Sequence, residues 1–173
     1  EIRADGRFAY GLAYGALDER AEGLWAATEK GLALSTQPKS KPPEFRLDPV
    51  GPEGNAPLSL LVRWPDGRGI AGVDFRIGFA DGSELEGYTQ EYGWSLGDPA
   101  RSAPVWVVFT EPMHRFSSPR IPIAAGVHDI SVTLVPNDLG VADFERIGFE
   151  ALGEGSYLLH HPMGDIRFRA VAP

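Results

Sequence analysis

The chain contains no cysteine. Disulfides, thiolate zinc sites, iron–sulfur clusters and cysteine nucleophiles are thereby excluded together. Lysine is almost as scarce, with only Lys30, Lys39 and Lys41. Lys and Arg form no cluster that would release counterions from nucleic acid, and the formal net charge is −8. The same balance argues against docking on an anionic membrane surface. No apolar run approaches the ~18 residues of a membrane-spanning helix. Phosphate-cradling glycine motifs are missing, and so is the G-x-S-x-G nucleophile elbow. No pattern assigns a catalytic residue, a cofactor or a metal.

What the chain does have is punctuation. Its 173 residues include 21 glycines and 15 prolines, alongside 43% hydrophobic and 23% charged residues. That is a globular composition with many turns, and many turns mean short strands. Residues 8–14, "FAYGLAY", alternate large with small, which is the period of a strand. "GALDERAEG" at 15–23 admits a short helix. "LWAATEKGLALST" reads as a hairpin turning at Lys30-Gly31. The Pro/Gly-rich span 37–57 reads as a crossing between two sheets or subdomains.

Leu58, Leu60, Val62 and Trp64 alternate up to the turn "PDGRG". Val73, Phe75, Ile77 and Phe79 then alternate up to Asp81-Gly82, the strongest short hairpin signal. "VWVVF" at 105–109 reads as a central strand buried on both faces. Ile130, Val132 and Leu134 alternate again, as do Ile166, Phe168 and Ala170. About eleven or twelve short strands at even spacing predict an all-β protein. The expected fold is an antiparallel β-sandwich of prealbumin-like or Ig-like type, with flanking N- and C-terminal β-meander strands. The expected divisions are an N-terminal meander at 1–48, able to pack with 144–173, a linker at 49–57, a sandwich at 58–143 and C-terminal strands at 144–173.

Residues 58–96, "LSLLVRWPDGRGIAGVDFRIGFADGSELEGYTQEYGWSL", carry an apolar strand, "DG-x-G-I-A-G-V", a second strand, a "DG" hairpin, Gly87-Tyr88-Thr89 and Gly93. This pattern resembles prealbumin-like (transthyretin-like) modules, including carboxypeptidase-regulatory-like and Cna-B-type domains. The resemblance implies a sandwich and a bacterial, exported setting. Some Cna-B-like domains carry a Lys–Asn isopeptide staple. All three lysines here precede the resembling segment, so such a staple is not expected.

Candidate chemistry is thin. His160 and His161 are adjacent, so on a strand they face opposite ways and do not share an ion. His114 and His128 have no metal-ligand spacing. Asn137, Asp138 and Asp143 offer about three oxygens for calcium but no EF-hand pattern, and the expected reading is an Asx-type turn before the Phe144 strand. Aromatics are more promising. A simple hairpin walk brings Trp64, Tyr92 and Trp94 to one end of the sandwich, where they would bind a sugar or protein or else plug the core. The same walk puts the loop "TEPMHRFSSP" (110–119), with Met113, His114 and Arg115, at the opposite, Asp81-Gly82 end.

The function expected is a non-catalytic, extracytoplasmic module binding a carbohydrate or protein partner. Nucleic acid and anionic membrane are not expected partners, and a homo-oligomer is possible. One alternative is a structural subunit that donates the 8–14 strand to a neighbour. Another is a small secreted enzyme with His114 as acid or base. The opening at Glu1 without methionine sets the expectation that an upstream segment was removed.

Overall fold

Strands account for every regular element found. The computed structural model describes residues 1–51, 54–97 and 102–171, and no helix occurs among them. Of the expected linker, residues 52 and 53 lie outside the described residues. The chain divides into two units, Glu1–Lys41 with Gly140–Pro173, and Pro42–Leu139.

The first unit is one antiparallel sheet. It contains β1 (Arg7–Tyr14), β2 (Leu17–Thr28) and β3 (Gly31–Thr36) from the start of the chain. It then takes β13 (Ile147–Gly153), β14 (Ser156–Leu159) and β15 (Ile166–Arg169) from its end, in the order β1-β2-β3-β13-β14-β15. The segment that admitted a short helix is the first half of β2. Its inner row runs Leu17, Glu19, Ala21, Gly23 and Trp25, with Asp18, Arg20, Glu22 and Leu24 exposed between them. Period two holds, but small and charged inward residues hide it from a hydrophobicity reading. The sheet curls around a core of Phe8, Ala21, Leu34, Ala142, Phe144 and Leu159.

The second unit is a sandwich of a four-stranded and a five-stranded sheet. One sheet contains β4 (Glu44–Leu47), β5 (Ser59–Arg63), β8 (Trp94–Ser95) and β12 (Asp129–Val135), ordered β4-β12-β5-β8. The other contains β6 (Asp74–Phe79), β7 (Glu84–Tyr88), β9 (Pro104–Glu111) and β10 (Phe116–Ser117), ordered β10-β9-β6-β7, and β11 (Ile121–Pro122) also pairs with β9. Pairing is antiparallel except for β12 with β5. Leu60, Val62, Phe75, Ile77, Val107, Phe109, Ile130 and Val132 meet between the sheets and are almost wholly buried.

The hairpin at Asp81-Gly82 forms as its chemistry dictates. Gly82 sits at φ +83°, and the Asp81 carboxylate accepts the Ser83 N–H at 2.9 Å. The strand at 105–109 differs from expectation. Val107 and Phe109 are buried, but Trp106 and Val108 lie on the outer face and Val105 is 39% exposed. Trp106 is shielded there by other means: its indole lies across Gly78, and the Arg120 guanidinium stacks 4.1 Å from its ring centroid.

Candidate functional site

Three loops share one end of the sandwich. The first links β5 to β6. Trp64 N–H donates to the Arg68 carbonyl at 2.8 Å, Gly67 turns at φ +90°, and Ile70 N–H returns to the Val62 carbonyl at 2.8 Å. Asp66 accepts the Arg68 N–H at 3.0 Å and its guanidinium at 2.8 Å; these bonds hold the Asp66 carboxyl below the usual carboxylate range.

The second loop follows β7. Gln90 and Gly93 exchange backbone bonds, leaving Glu91 and Tyr92 at the tip of a two-residue turn. Thr89 anchors it from below. Its buried hydroxyl donates to the Ile70 carbonyl at 2.7 Å and accepts the Val73 N–H at 3.3 Å. Gly69 presses against the Glu91 carbonyl so closely that no side chain fits between the two loops.

The third loop joins β9 to β10. The Glu111 carboxylate accepts the N–H groups of Met113 at 3.2 Å and His114 at 2.6 Å, and lies 3.0 Å from His114 Nδ1. Arg115 then turns the chain at φ +56°. The His114 ring and Glu111 are thus engaged in holding their own turn.

Register places this third loop with the other two. Asp74 pairs with both Tyr88 and Thr110, so β6 begins where β7 and β9 end. The sequence walk put residues 110–119 at the Asp81-Gly82 end. It missed one traverse. After Tyr92 the chain runs back beside β5, with Leu60 opposite Trp94 and Leu96 N–H bonded to the Leu58 carbonyl. The strand β9 therefore starts at the Asp81-Gly82 end and finishes at the other.

The side chains differ in what they offer. Trp64 and Trp94 pack against the sandwich core, and Trp94 sits 4.7 Å from Phe75, centroid to centroid. Tyr92 is 97% exposed, Met113 is 39% exposed and Arg115 is exposed. Sequence reasoning grouped three rings, and the fold leaves one of them free.

A polar cluster in the first unit went unread. His161 is buried, its Nδ1 accepts the Met163 N–H at 3.2 Å, and its Nε2 lies 2.8 Å from Glu19 Oε2 without the alignment of a full hydrogen bond. The Tyr10 hydroxyl donates to the same carboxylate oxygen at 3.1 Å. Burial, then the Glu19 charge, pushes the Tyr10 phenol well above its ordinary range. The signal was Glu19 on an inward position of a period-two row. Its neighbour His160 faces outward between Asp165 at 3.0 Å and Glu150 at 3.3 Å. No group of three or more His, Asp or Glu side chains able to hold a metal ion occurs among the described residues.

Compared with known proteins, the chain matches no family model, no curated protein and no solved structure.

Proposed function

We propose that this chain is a non-catalytic binding module that works outside the cytoplasm and takes a protein partner at the three-loop end of its sandwich. The observation that carries this reading is Tyr92, fully exposed on a two-residue turn that Thr89 and Gly69 fix from below. A large ring on an anchored turn has only two side-chain torsions to lose, so it binds at modest cost in conformational entropy. Tyr, Met and Arg are the residues enriched in protein interfaces, and Met113 and Arg115 occupy the same end. A sugar platform would draw on several free rings, and Trp64 and Trp94 are spent on the core. The exported setting and a prealbumin-like type for the sandwich rest on the pattern at 58–96.

The test replaces Tyr92 with a photo-crosslinking phenylalanine derivative in the source cells, with position 83 at the other end of the sandwich as control. One discrete protein adduct at position 92, absent at 83 and lost with Arg115→Glu, is the expected result. Equal labelling at both positions would overturn the reading. So would binding to a glycan panel that Tyr92→Ala abolishes without any protein adduct.

A further inference from the structure

The first unit carries a groove of about 460 Å³ across β3 and β13, a volume within the range of small-molecule sites. All of its lining residues belong to that unit, so it is independent of the three-loop end. We propose that this groove binds a uronic acid, a sugar ring bearing one carboxylate. The carboxylate is held by Lys30 and Arg146, and the ring lies over Ala33 and Gly148.

The floor follows from strand alternation. Leu32, Leu34, Ile147 and Phe149 pack on the core of the unit, so Ala33 and Gly148 between them face the other way. They are partners across β3 and β13. A methyl group and bare backbone let a flat ring come down onto the sheet. Gly148 has a reason to stay bare, because a Cβ there would lie 2.9 Å from the His160 ring.

The walls are polar and anchored. The Glu29-Lys30 turn is tied to β13: Ala151 N–H donates to the Lys30 carbonyl at 3.0 Å, and Gly31 lies against the Phe149 carbonyl too closely for any side chain. On β13 and just after β14, Glu150 and His160 form another wall. His160 engages Asp165 through Nδ1 at 3.0 Å and Glu150 Oε2 through Nε2 at 3.3 Å. His160 therefore acts as a positioning residue that fixes the Glu150 carboxylate. Arg146 completes the lining at the head of β13, on a backbone held at φ +55°.

Charge selects the ligand. The chain carries a net charge of −8, yet the Lys30 and Arg146 side chains form neither an ion pair nor a hydrogen bond among the described residues. Two uncommitted cations in one groove call for an anion, and the planar arginine fork matches a carboxylate. Glu29 and Glu150 share the lining and oppose a second negative charge, so a monoanion fits better than a phosphate dianion. The large apolar side chains are turned to the core, which leaves a greasy acid little to gain. The two carboxylates and the Thr28 hydroxyl instead suit a body rich in hydroxyl groups. Recognition here rests on charge and hydrogen bonds rather than on ring stacking.

The probes are glucuronate, galacturonate and mannuronate, titrated into the whole chain at constant ionic strength and followed by amide NMR. The expected result is saturable shifts of Gly31, Ala33 and Gly148 with at least one of the three, while Ser83 stays put. Lys30→Gln and Arg146→Asn should each weaken that binding at least tenfold. Asn tolerates the left-handed backbone at 146, so the second variant keeps the turn. Arg46→Gln, which removes the same charge from the second unit, should leave the affinity unchanged. Absence of saturation with all three uronates would overturn the proposal. So would equal shifts with acetate, which would reduce the site to a bare anion sink, or with neutral glucose, which would remove the role of charge. Tighter binding of glucose 6-phosphate would make the ligand a phosphate ester and overturn it as stated. Uronate binding that survives both Lys30→Gln and Arg146→Asn would place the ligand elsewhere and overturn it too.

Discussion

Thr36 and Phe144, 108 positions apart, are clamped to each other by a buried hydroxyl. The Thr36 Oγ1 accepts the Phe144 N–H at 2.9 Å and donates to the Ala142 carbonyl at 2.7 Å, while Thr36 N–H donates to the Phe144 carbonyl at 2.9 Å. Phe144 fills the concave side of the first unit's sheet, packed against Phe8 and Tyr10. A single hydroxyl therefore fixes the segment that supplies the core's largest plug.

Thr36→Val keeps the shape and removes the hydroxyl. The Phe144 N–H and Ala142 carbonyl then lose a buried partner, at a cost of about 2–4 kcal/mol. Urea unfolding should register that loss, and Thr36→Ser should recover most of it. A Val variant as stable as the parent would mean that water replaces the hydroxyl.

Trp106 and Gly78 make a second pair of this kind, across β9 and β6. A Cβ at position 78 would overlap the indole, so Gly78→Ala must displace Trp106 and its stacked Arg120. The expected cost is about 1–3 kcal/mol. In the double variant Gly78→Ala/Trp106→Ala the overlap is gone, and the alanine at 78 should become neutral or favourable, since glycine weakens a strand interior. A double-mutant cycle by urea unfolding measures the coupling, and additive effects would refute it.

Class and punctuation were legible because they rest on local chemistry. Alternation at 8–14 and 73–79 and the Asp81-Gly82 turn depend only on neighbours in the chain. What escaped depends on partners far away. The row Glu19, Ala21 and Gly23 makes sense only beside His161 and Phe144, which the chain supplies over a hundred residues later. The parallel pairing of β12 with β5 leaves no mark in either strand's composition. At the candidate site, the residues named from sequence do share one end, but the two-residue strand Trp94–Ser95 was too short to read, and missing it reversed the expected end for Met113, His114 and Arg115. Alternation already placed Trp64 on the row of Leu58, Leu60 and Val62 that the core buries, whereas Trp94, in a strand of two residues, had no row to be read from.

The seat of Tyr92 can be separated from Tyr92 itself. Gly69→Ala drives a methyl into the Glu91 carbonyl and must push the 90–93 turn away, at about 1–3 kcal/mol. Tyr92→Ala removes a ring that touches mainly water and should change stability by less than about 0.5 kcal/mol. Amide shifts across 90–93 and urea midpoints distinguish the two. Equal destabilisation would show that the Tyr92 ring packs on its own unit.

His160 gives the sharpest pH signature. Its Nδ1 bond to Asp165 is the larger influence and its Nε2 bond to Glu150 the smaller, and both raise its pKa above the ordinary 6.5. A group whose pKa is higher folded than unfolded stabilises the fold while it is protonated in both comparisons. The contribution is therefore complete below pH 6.5 and fades as pH rises through the folded value. A histidine NMR titration should find His160 titrating above 6.5, with Asp165→Asn lowering it more than Glu150→Gln. A value at or below 6.5 in the parent chain would mean that both carboxylates are turned to solvent. A larger drop with Glu150→Gln would reverse the assigned order, placing the dominant bond at Nε2 and leaving Asp165 the lesser partner.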